Sequence, residues 1–459
     1  MKTRLFLLLL AISTFTLKAA DIHVPADYAT IQEAIDAASS GDVIIVANGT
    51  YFENIDFLGK DITVTSNYAT SGDINDIYNT VIDGSQPTDP DIGSCVSFKT
   101  GETNDSILQG FTITGGSGTK TYNPADDAYF RTGGGILINQ TSPTIKNNII
   151  KENHCIAETG VTGAGGGGIR MGFGQPIITN NVISYNSGGY AGGVMIAYCE
   201  GATIKNNLIA FNVATGSFNG GGGVYVDWEP VTLENNTIVN NHSGDKGGAI
   251  ITTGTTTVII NCIIYGNTAT NAFPQIFKRY GGNANLTYTN IEGGFDGDGN
   301  EDGMITDDPL FDNQGSFLLS ASSPCIDAGH PGTEYNDVED PGSPGNALFP
   351  AQGTTRNDMG AYGGQGAEDF LSILEHAPLE GIKISCANPY QNEGVLIHAS
   401  ENGRLRMQAY SFEGKLILNS EEIIINKGDN TIPLVLHSSA FILFQDQNGN
   451  KTVLKIIKK

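Results

Sequence analysis

The sequence predicts an all-β solenoid, a stack of short-stranded coils, and three observations carry that prediction. First, one pair of phrases recurs five times between Gly133 and Asn267. The opening phrase reads Gly133-Gly134-Gly135-Ile136, Gly166-Gly167-Gly168-Ile169, Gly192-Gly193-Val194, Gly221-Gly222-Gly223-Val224 and Gly247-Gly248-Ala249, and the second phrase centres on Asn148, Asn181, Asn207, Asn236 and Cys262. Second, the hydrophobic runs begin at 136, 169, 194, 224 and 249, in steps of 33, 25, 30 and 25, yet the gap from the second phrase to a closing Asn (Asn153, Asn186, Asn212, Asn241, Asn267) is always 5. Fixed spacing inside a unit and variable length between units describe a solenoid with loop insertions. Third, 60 of the 459 residues are Gly, about twice ordinary usage. They show no triplet period and punctuate β-branched runs, as short strands require.

Taken in order, residues 1–20 read as an export signal. Lys2 and Arg4 precede the apolar run 5–12, and Ala19-Ala20 precede Asp21. That run is too short to span a bilayer, and no later stretch is better suited, so no transmembrane segment is expected in the mature chain. Loss of Lys2, Arg4 and Lys18 takes the formal net charge from −25 to −28. A nucleic acid or an anionic membrane needs a basic footprint, so neither is expected as partner. The cysteines (Cys95, Cys155, Cys199, Cys262, Cys325, Cys386) are scattered, with no CxxC pair, and most lie in apolar phrases. Mostly buried free thiols are expected rather than a zinc site.

Thr30 and Glu33 form a capping-box pattern, and Ile31, Ala34, Ile35 and Ala38 share one helical face. A short helix here, before a first strand at 43–46, would cover the open end of the core. Strands follow at 61–65, 80–84, 95–98 and 110–114, then a longer insertion between 115 and 132. In the repeated units, alternation places Val224 and Val226 inside and Tyr225 and Asp227 outside. The first outward column is Leu137, Arg170, Met195, Tyr225, Ile250; the second is Asn139, Gly172, Ala197, Asp227, Thr252. Asn148, Asn181, Asn207 and Asn236 would stack about 4.8 Å apart, tolerating left-handed turns and bonding to the copies above and below. The Asn column is therefore structural.

The helix-then-strand opening and the Asn-Asn-x-Ile coils, over 21–290, resemble right-handed parallel β-helix proteins of the pectate-lyase-like superfamily. The resemblance implies the fold; activity varies widely within it. From 291 to 371 the phrases Asp307-Asp308-Pro309-Leu310-Phe311, Ser323-Pro324-Cys325-Ile326-Asp327 and Arg356-Asn357-Asp358-Met359-Gly360-Ala361-Tyr362 resemble a choice-of-anchor type module of bacterial surface proteins. It would finish the last coils and lead into the tail. Asp327, Arg356 and Asp358 there read as a structural ion-pair cluster. Residues 372–459, with Asn388-Pro389-Tyr390, Gly414-Lys415 and a Lys-rich final strand, resemble the type IX secretion sorting domain of Bacteroidota, with Ala440-Phe441 replacing the usual Gly-Tyr. That resemblance implies the type IX secretion machinery as a partner, a secreted or surface-attached location, and a small β-sandwich.

Asp296, Asp298, Asn300, Asp302 and Asp307 resemble a calcium loop, because alternate oxygens can converge on one hard cation; the spacing departs from an EF-hand at Glu301. No HExxH, P-loop or nucleophile elbow is present. Chemistry is expected on the outward face of the Gly-Gly phrases. Tyr190, Tyr198, Tyr225, Trp228 and Glu229 suit a polysaccharide, since rings stack on sugar faces and charged groups bond to hydroxyls. The resemblance implies that a lyase would use Lys or Arg as base and would neutralise a uronate carboxylate, for which Arg170 and Lys246 could serve, with Asp227 or Asp245 holding a cation. A glycoside hydrolase would use paired carboxylates from Asp227, Glu229 and Asp245. A non-catalytic adhesin on the same solenoid is the alternative to both.

Overall fold

The computed structural model describes residues 19–123, 126–216, 220–295, 302–312 and 316–370, and in the tail 382–385, 395–399, 402–411, 416–419, 423–434, 440–446 and 451–456. The body is a parallel β-solenoid. Each full coil visits four sheets, as in Ile169–Gly172, Ile177–Thr179, Val182–Ser184 and Ser187–Gly188. These belong to sheets of eight, ten, nine and five strands, and every coil pairs in parallel with the next. One strand, Asp21–Val24, precedes the helix and pairs with Val43–Val46, so the helix follows the first strand instead of leading it. The helix, Ile31–Ala37, carries the expected capping box at Thr30 and Glu33 and buries Ile31, Ala34 and Ile35 in the end of the core.

Inward residues form a continuous column in the eight-stranded sheet. Ile136, Ile169, Val194, Val224 and Ile250 are fully buried, and each such side chain contributes about 1.5–3 kcal/mol. The register corrects the sequence reading at the last unit. Ile250, not Ala249, pairs with Val224, so the last step is one residue longer and Ile251 and Thr253 face outward. Ala249 takes the place of a third Gly, receiving the Gly223 amide at 3.1 Å. Thr252 turns inward and satisfies its hydroxyl on the Thr255 and Asn283 carbonyls. The Gly phrases are a packing requirement: a Cβ at Gly193 would lie 2.5 Å from the Gly223 carbonyl oxygen of the next coil.

The two Asn of each phrase divide the work. The first, at Asn147, Asn180, Asn206, Asn235 and Asn261, takes the left-handed conformation, φ 48–57°. The second forms the buried ladder: Asn148, Asn181, Asn207 and Asn236 donate or accept in series at 3.1–3.2 Å. The closing residues make a second ladder, Asn153 to Asn267, with amide contacts of 3.0 Å throughout. Cys262 holds the place of an Asn in the first ladder and accepts the Asn236 amide at 3.4 Å. Cys95, Cys155, Cys199, Cys262 and Cys325 are all buried free thiols; Cys386 lies outside the described residues.

Residues 317–366 do more than end the coils. They run back along the outer face of the nine-stranded sheet, where Phe317, Leu319, Met359 and Tyr362 pack on Val182, Leu208, Val239 and Ile263. The left-handed Asn column is their track: Asn206 Nδ2 donates to the Ala361 and Gly363 carbonyls, Asn235 Nδ2 to Asp358 and Gly360. The expected ion-pair cluster is instead a set of backbone hydrogen bonds. Asp358 accepts the amides of Asp327 and Gln352, and Arg356 donates to the Gly329 carbonyl. Beyond 370 the described strands form small antiparallel sheets around Val395, Ile397, Leu405, Ile442 and Phe444. No helix among the described residues is long and apolar enough to cross a membrane.

Candidate functional site

The nine-stranded sheet is covered by the chain's own C-terminal segment. The outer face of the eight-stranded sheet carries a different set of residues. Its first outward column is Leu137, Arg170, Met195, Tyr225, Ile251 and Phe277; its second is Asn139, Gly172, Ala197, Asp227, Thr253 and Arg279. The pairing places Arg170, Tyr225 and Asp227 on one surface, as the alternation predicted. Arg279, at the end of the strand Ile276–Arg279, completes this set and was not singled out from sequence, because its strand lies beyond the last Gly-Gly phrase.

Several of these outward residues are buried. Tyr225 and Ile251 form a small apolar cluster with Ala191, edged by Tyr190, Met195 and Phe277. Tyr190 meets Tyr225 edge-on with ring centroids 6.5 Å apart. A hairpin, Gly118–Asn123 with Ala128–Thr132, borders the same region and pairs with Gly163–Gly165. The buried Arg131 guanidinium anchors it, donating to the Pro90 and Gly118 carbonyls and to Glu158. Asp126, at the turn, lies close enough to act on the Tyr198 hydroxyl. Burial first, then Asp227, Asp126 and Glu229, push that hydroxyl's pKa up.

The electrostatic centre is the Arg170–Asp227 region. The Arg170 side chain folds back over Gly172, where a Cβ would stand 2.3 Å from Nη1. Gly172 and Ala197, the small residues between Arg170 and Asp227 in register, leave the guanidinium room. Its Nη1 is shielded from solvent yet has no hydrogen-bond partner, although the residue as a whole keeps partial exposure. Burial lowers the Arg170 pKa, with Cys199 and Asp227 acting in the opposite sense. Asp227 is half-buried. Burial raises its pKa to about 6, opposed by Arg170 and then Arg279. Beside it, the Tyr225 hydroxyl accepts from Arg279 Nη1 at 3.1 Å and from the Thr253 hydroxyl at 3.2 Å. A guanidinium with one unpartnered nitrogen, a carboxyl whose pKa burial raises to about 6, and a phenol whose pKa burial also raises thus share one surface.

Asp245 and Lys246 separate from that centre. Asp245 and Lys246 precede the strand Ile250–Thr253, whereas Asp227 ends its own strand, so a strand length of about 10 Å divides them. Asp245 is nearly buried and accepts from Asn271 Nδ2 at 2.6 Å; Lys246 sits over the Phe277 ring at 5.0 Å. Glu229 follows Trp228 in the turn, its amide donating to the Asp227 carbonyl at 3.0 Å, and its charge acts with that of Asp227 on the Tyr198 hydroxyl. Of the calcium set, Asp296, Asp298 and Asn300 lie outside the described residues. The Asp302 and Asp307 carbonyls accept from the Tyr288 amide and Asn290 Nδ2. Among the described residues no group of three or more His, Cys, Asp or Glu could hold a metal.

A family model described as a right-handed β-helix region matches residues 118–269, the stretch that contains the repeated phrases. No curated protein matches the chain. Among solved structures, a pectin methylesterase variant in complex with a hexasaccharide is similar at 10% identity, over 67% of this chain and 98% of that one, with a TM-score of 0.28. A likeness of that degree carries no argument about activity.

Proposed function

We propose that the chain binds a uronate-containing polysaccharide on the outer face of the eight-stranded sheet and cleaves it by elimination at Asp227. The observation that carries this reading is the shielded, unpartnered Nη1 of Arg170 beside a carboxyl whose pKa is raised to about 6. A buried cationic donor without a partner is costly unless a ligand supplies an anion. A sugar carboxylate would satisfy it, and the Arg170 charge would stabilise the electron density that builds there once the adjacent carbon is deprotonated. Asp227 takes that proton, since a carboxylate titrating near the working pH is a suitable base. The C–H electrons form a carbon–carbon double bond, the glycosidic C–O bond breaks, and the leaving oxygen takes a proton from water. Hydrolysis would need two carboxylates across the bond; the separation of Asp245 from Asp227 argues against that pair.

The test is incubation with polygalacturonate, alginate and a neutral β-glucan, reading both the ultraviolet absorbance of unsaturated ends and total reducing ends. Elimination predicts both signals from an acidic polymer, abolished in Arg170→Ala. Reducing ends without unsaturation would assign a hydrolase, and binding without products would assign an adhesin. We also propose that the chain reaches the cell surface through residues 1–20 and the tail. Deletion of 380–459 should then leave the protein in the periplasm, and normal export of that truncation would refute the assignment.

A further inference from the structure

The segment 317–366 is knotted at the place where it meets the solenoid, and two buried carboxyl groups make the knot. Asp358 is fully buried and Asp337 nearly so. The Asp358 amide donates to both Asp337 oxygens, at 3.2 Å and 3.1 Å, and the Gly364 amide donates to Asp337 Oδ1. Asp358 Oδ1 and Oδ2 in turn accept the Asp327 and Gln352 amides, each at 2.7 Å. The two side chains thus gather four stretches of the segment, around 327, 337, 352–358 and 364. The knot lies directly on the left-handed Asn column. Asn235 Nδ2 donates to the Asp358 carbonyl at 2.9 Å, and Asn206 Nδ2 to the Gly363 carbonyl at 2.7 Å.

The charges around the knot do not balance it. Asp327 is a third carboxyl beside the pair, held by the Thr354 amide and hydroxyl, and its charge raises the pKa of both. The Cys325 thiol lies near Asp358 and stays neutral, pushed up to about 12 by burial. Arg356, two residues from Asp358, turns its guanidinium to the Gly329 carbonyl. The His330 ring packs between Tyr288 and Tyr335 and accepts the Gly332 amide on Nδ1. From the solenoid, Asn206, Asn235, Thr237 and Asn261 meet the segment here, and none of them titrates. Glu234 adds a further negative charge near the Tyr335 hydroxyl. Among the described residues neither Asp337 nor Asp358 has an ion-pair partner. Backbone amides favour the ionised form of each carboxyl. Against that, two neighbouring carboxylates without water or a cation lose hydration and repel each other. Burial pushes Asp337 up to about 7; burial, and then the Asp337 charge, raise Asp358 well above the usual carboxylate range.

We propose that the Asp337–Asp358 pair is a pH-operated latch, which holds the segment 317–366 on the nine-stranded sheet in acid and loosens it as pH rises. The latch is independent of the polysaccharide reading above. Its sign follows from proton linkage. Both carboxyls bind protons more tightly docked than undocked, so docking is strongest below the ordinary value of 3.8. It weakens from there upward, through about 7 for Asp337 and beyond for Asp358, until the docked pair has itself ionised. The docking equilibrium falls about tenfold per pH unit for each proton that only the docked state keeps. Loosening bares the apolar strip of Val182, Leu208, Val239 and Ile263 that Phe317, Leu319, Met359 and Tyr362 cover. The coils themselves are untouched, because the Asn ladders bond within the stack through amides that do not titrate.

Hydrogen exchange read by mass spectrometry on the full chain, corrected for the pH dependence of free amides, follows the segment 317–366 separately from the coils 136–267. Between pH 5.5 and pH 8.5 the protection of the segment should fall by about tenfold or more, while that of the coils stays constant. Asp337→Asn is the matched variant. Its side-chain oxygen still accepts an amide, and its NH2 donates towards Asp358 as a protonated carboxyl would. Its segment should therefore stay protected at both pH values. Protection in the parent that does not change with pH overturns the latch, and so does an equal loss in the variant. If Asp337→Asn does not fold, infrared spectroscopy of the Asp227→Asn chain, which lacks the other raised carboxyl, decides instead. The carbonyl band of a protonated carboxyl should be present at pH 6.5, where ordinary carboxyls are ionised, and should fade towards pH 9. No such band at pH 6.5 overturns the proposal.

Discussion

Replacing Asp227 with Asn should abolish cleavage and stabilise the protein at the same time. The folded pKa of Asp227 is about 6, against an ordinary value of 3.8, and burial is the first cause. The sign follows from proton linkage. Below the ordinary value the carboxyl is neutral in both states and contributes no penalty. Between about 4 and 6 the unfolded chain releases the proton while the folded chain keeps it, so stability falls as pH rises. Above about 6 the folded chain holds a poorly solvated carboxylate, and the penalty stays constant. Two pKa units correspond to about 3 kcal/mol. The Asn amide is itself costly to bury, by about 1–2 kcal/mol, which leaves a net gain of about 1–2 kcal/mol at neutral pH. For a chain of this size that raises the melting temperature by a few degrees. Differential scanning calorimetry at pH 4.5 and pH 7.5 measures it: the gain should be present at the higher pH and absent at the lower. A variant less stable than the parent at pH 7.5 would refute the account of a strained carboxylate. In the parent, kcat/KM should rise with pH through a midpoint near 6, because the ionised carboxylate is the base.

Two further predictions concern the scaffold. Asn207→Ala removes an amide that donates to Ile178, Lys205 and Asn236 and accepts from Asn181. It should cost about 3–5 kcal/mol in urea denaturation, since several buried partners are left unsatisfied; a cost below about 1 kcal/mol would show that the ladder is dispensable. Burial pushes the thiols of Cys95, Cys155, Cys262 and Cys325 up to about 12. They should resist iodoacetamide in the native protein and react on unfolding, read by mass spectrometry of the labelled peptides; native-state labelling of Cys262 would contradict its place in the ladder.

The solenoid was legible because its rules are local and repeated. A Gly phrase marks where coils approach too closely for a Cβ, and an Asn marks each ladder rung. The reading slipped at Ala249, where Ala stands in for the third Gly and so resembles the start of a hydrophobic run. It also merged two roles of the Asn-Asn pair, because adjacent residues in one phrase give no hint that the first docks a distant segment and the second bonds within the stack. That docking of residues 317–366 is a long-range contact with no periodic signature.

At the candidate site, Arg170, Tyr225 and Asp227 were found because alternation alone puts them outward. Asp245 and Lys246 were grouped with them by proximity in sequence, which ignores that a strand separates the two ends of one face.

The most direct measurement of the central claim is a crystal structure of Asp227→Asn, expected to fold and not to cleave, with an oligogalacturonate bound. The account predicts a sugar carboxylate within hydrogen-bond distance of Arg170 Nη1 and the carbon beside that carboxylate facing residue 227. An oligosaccharide bound elsewhere, with Nη1 still unpartnered, would contradict it.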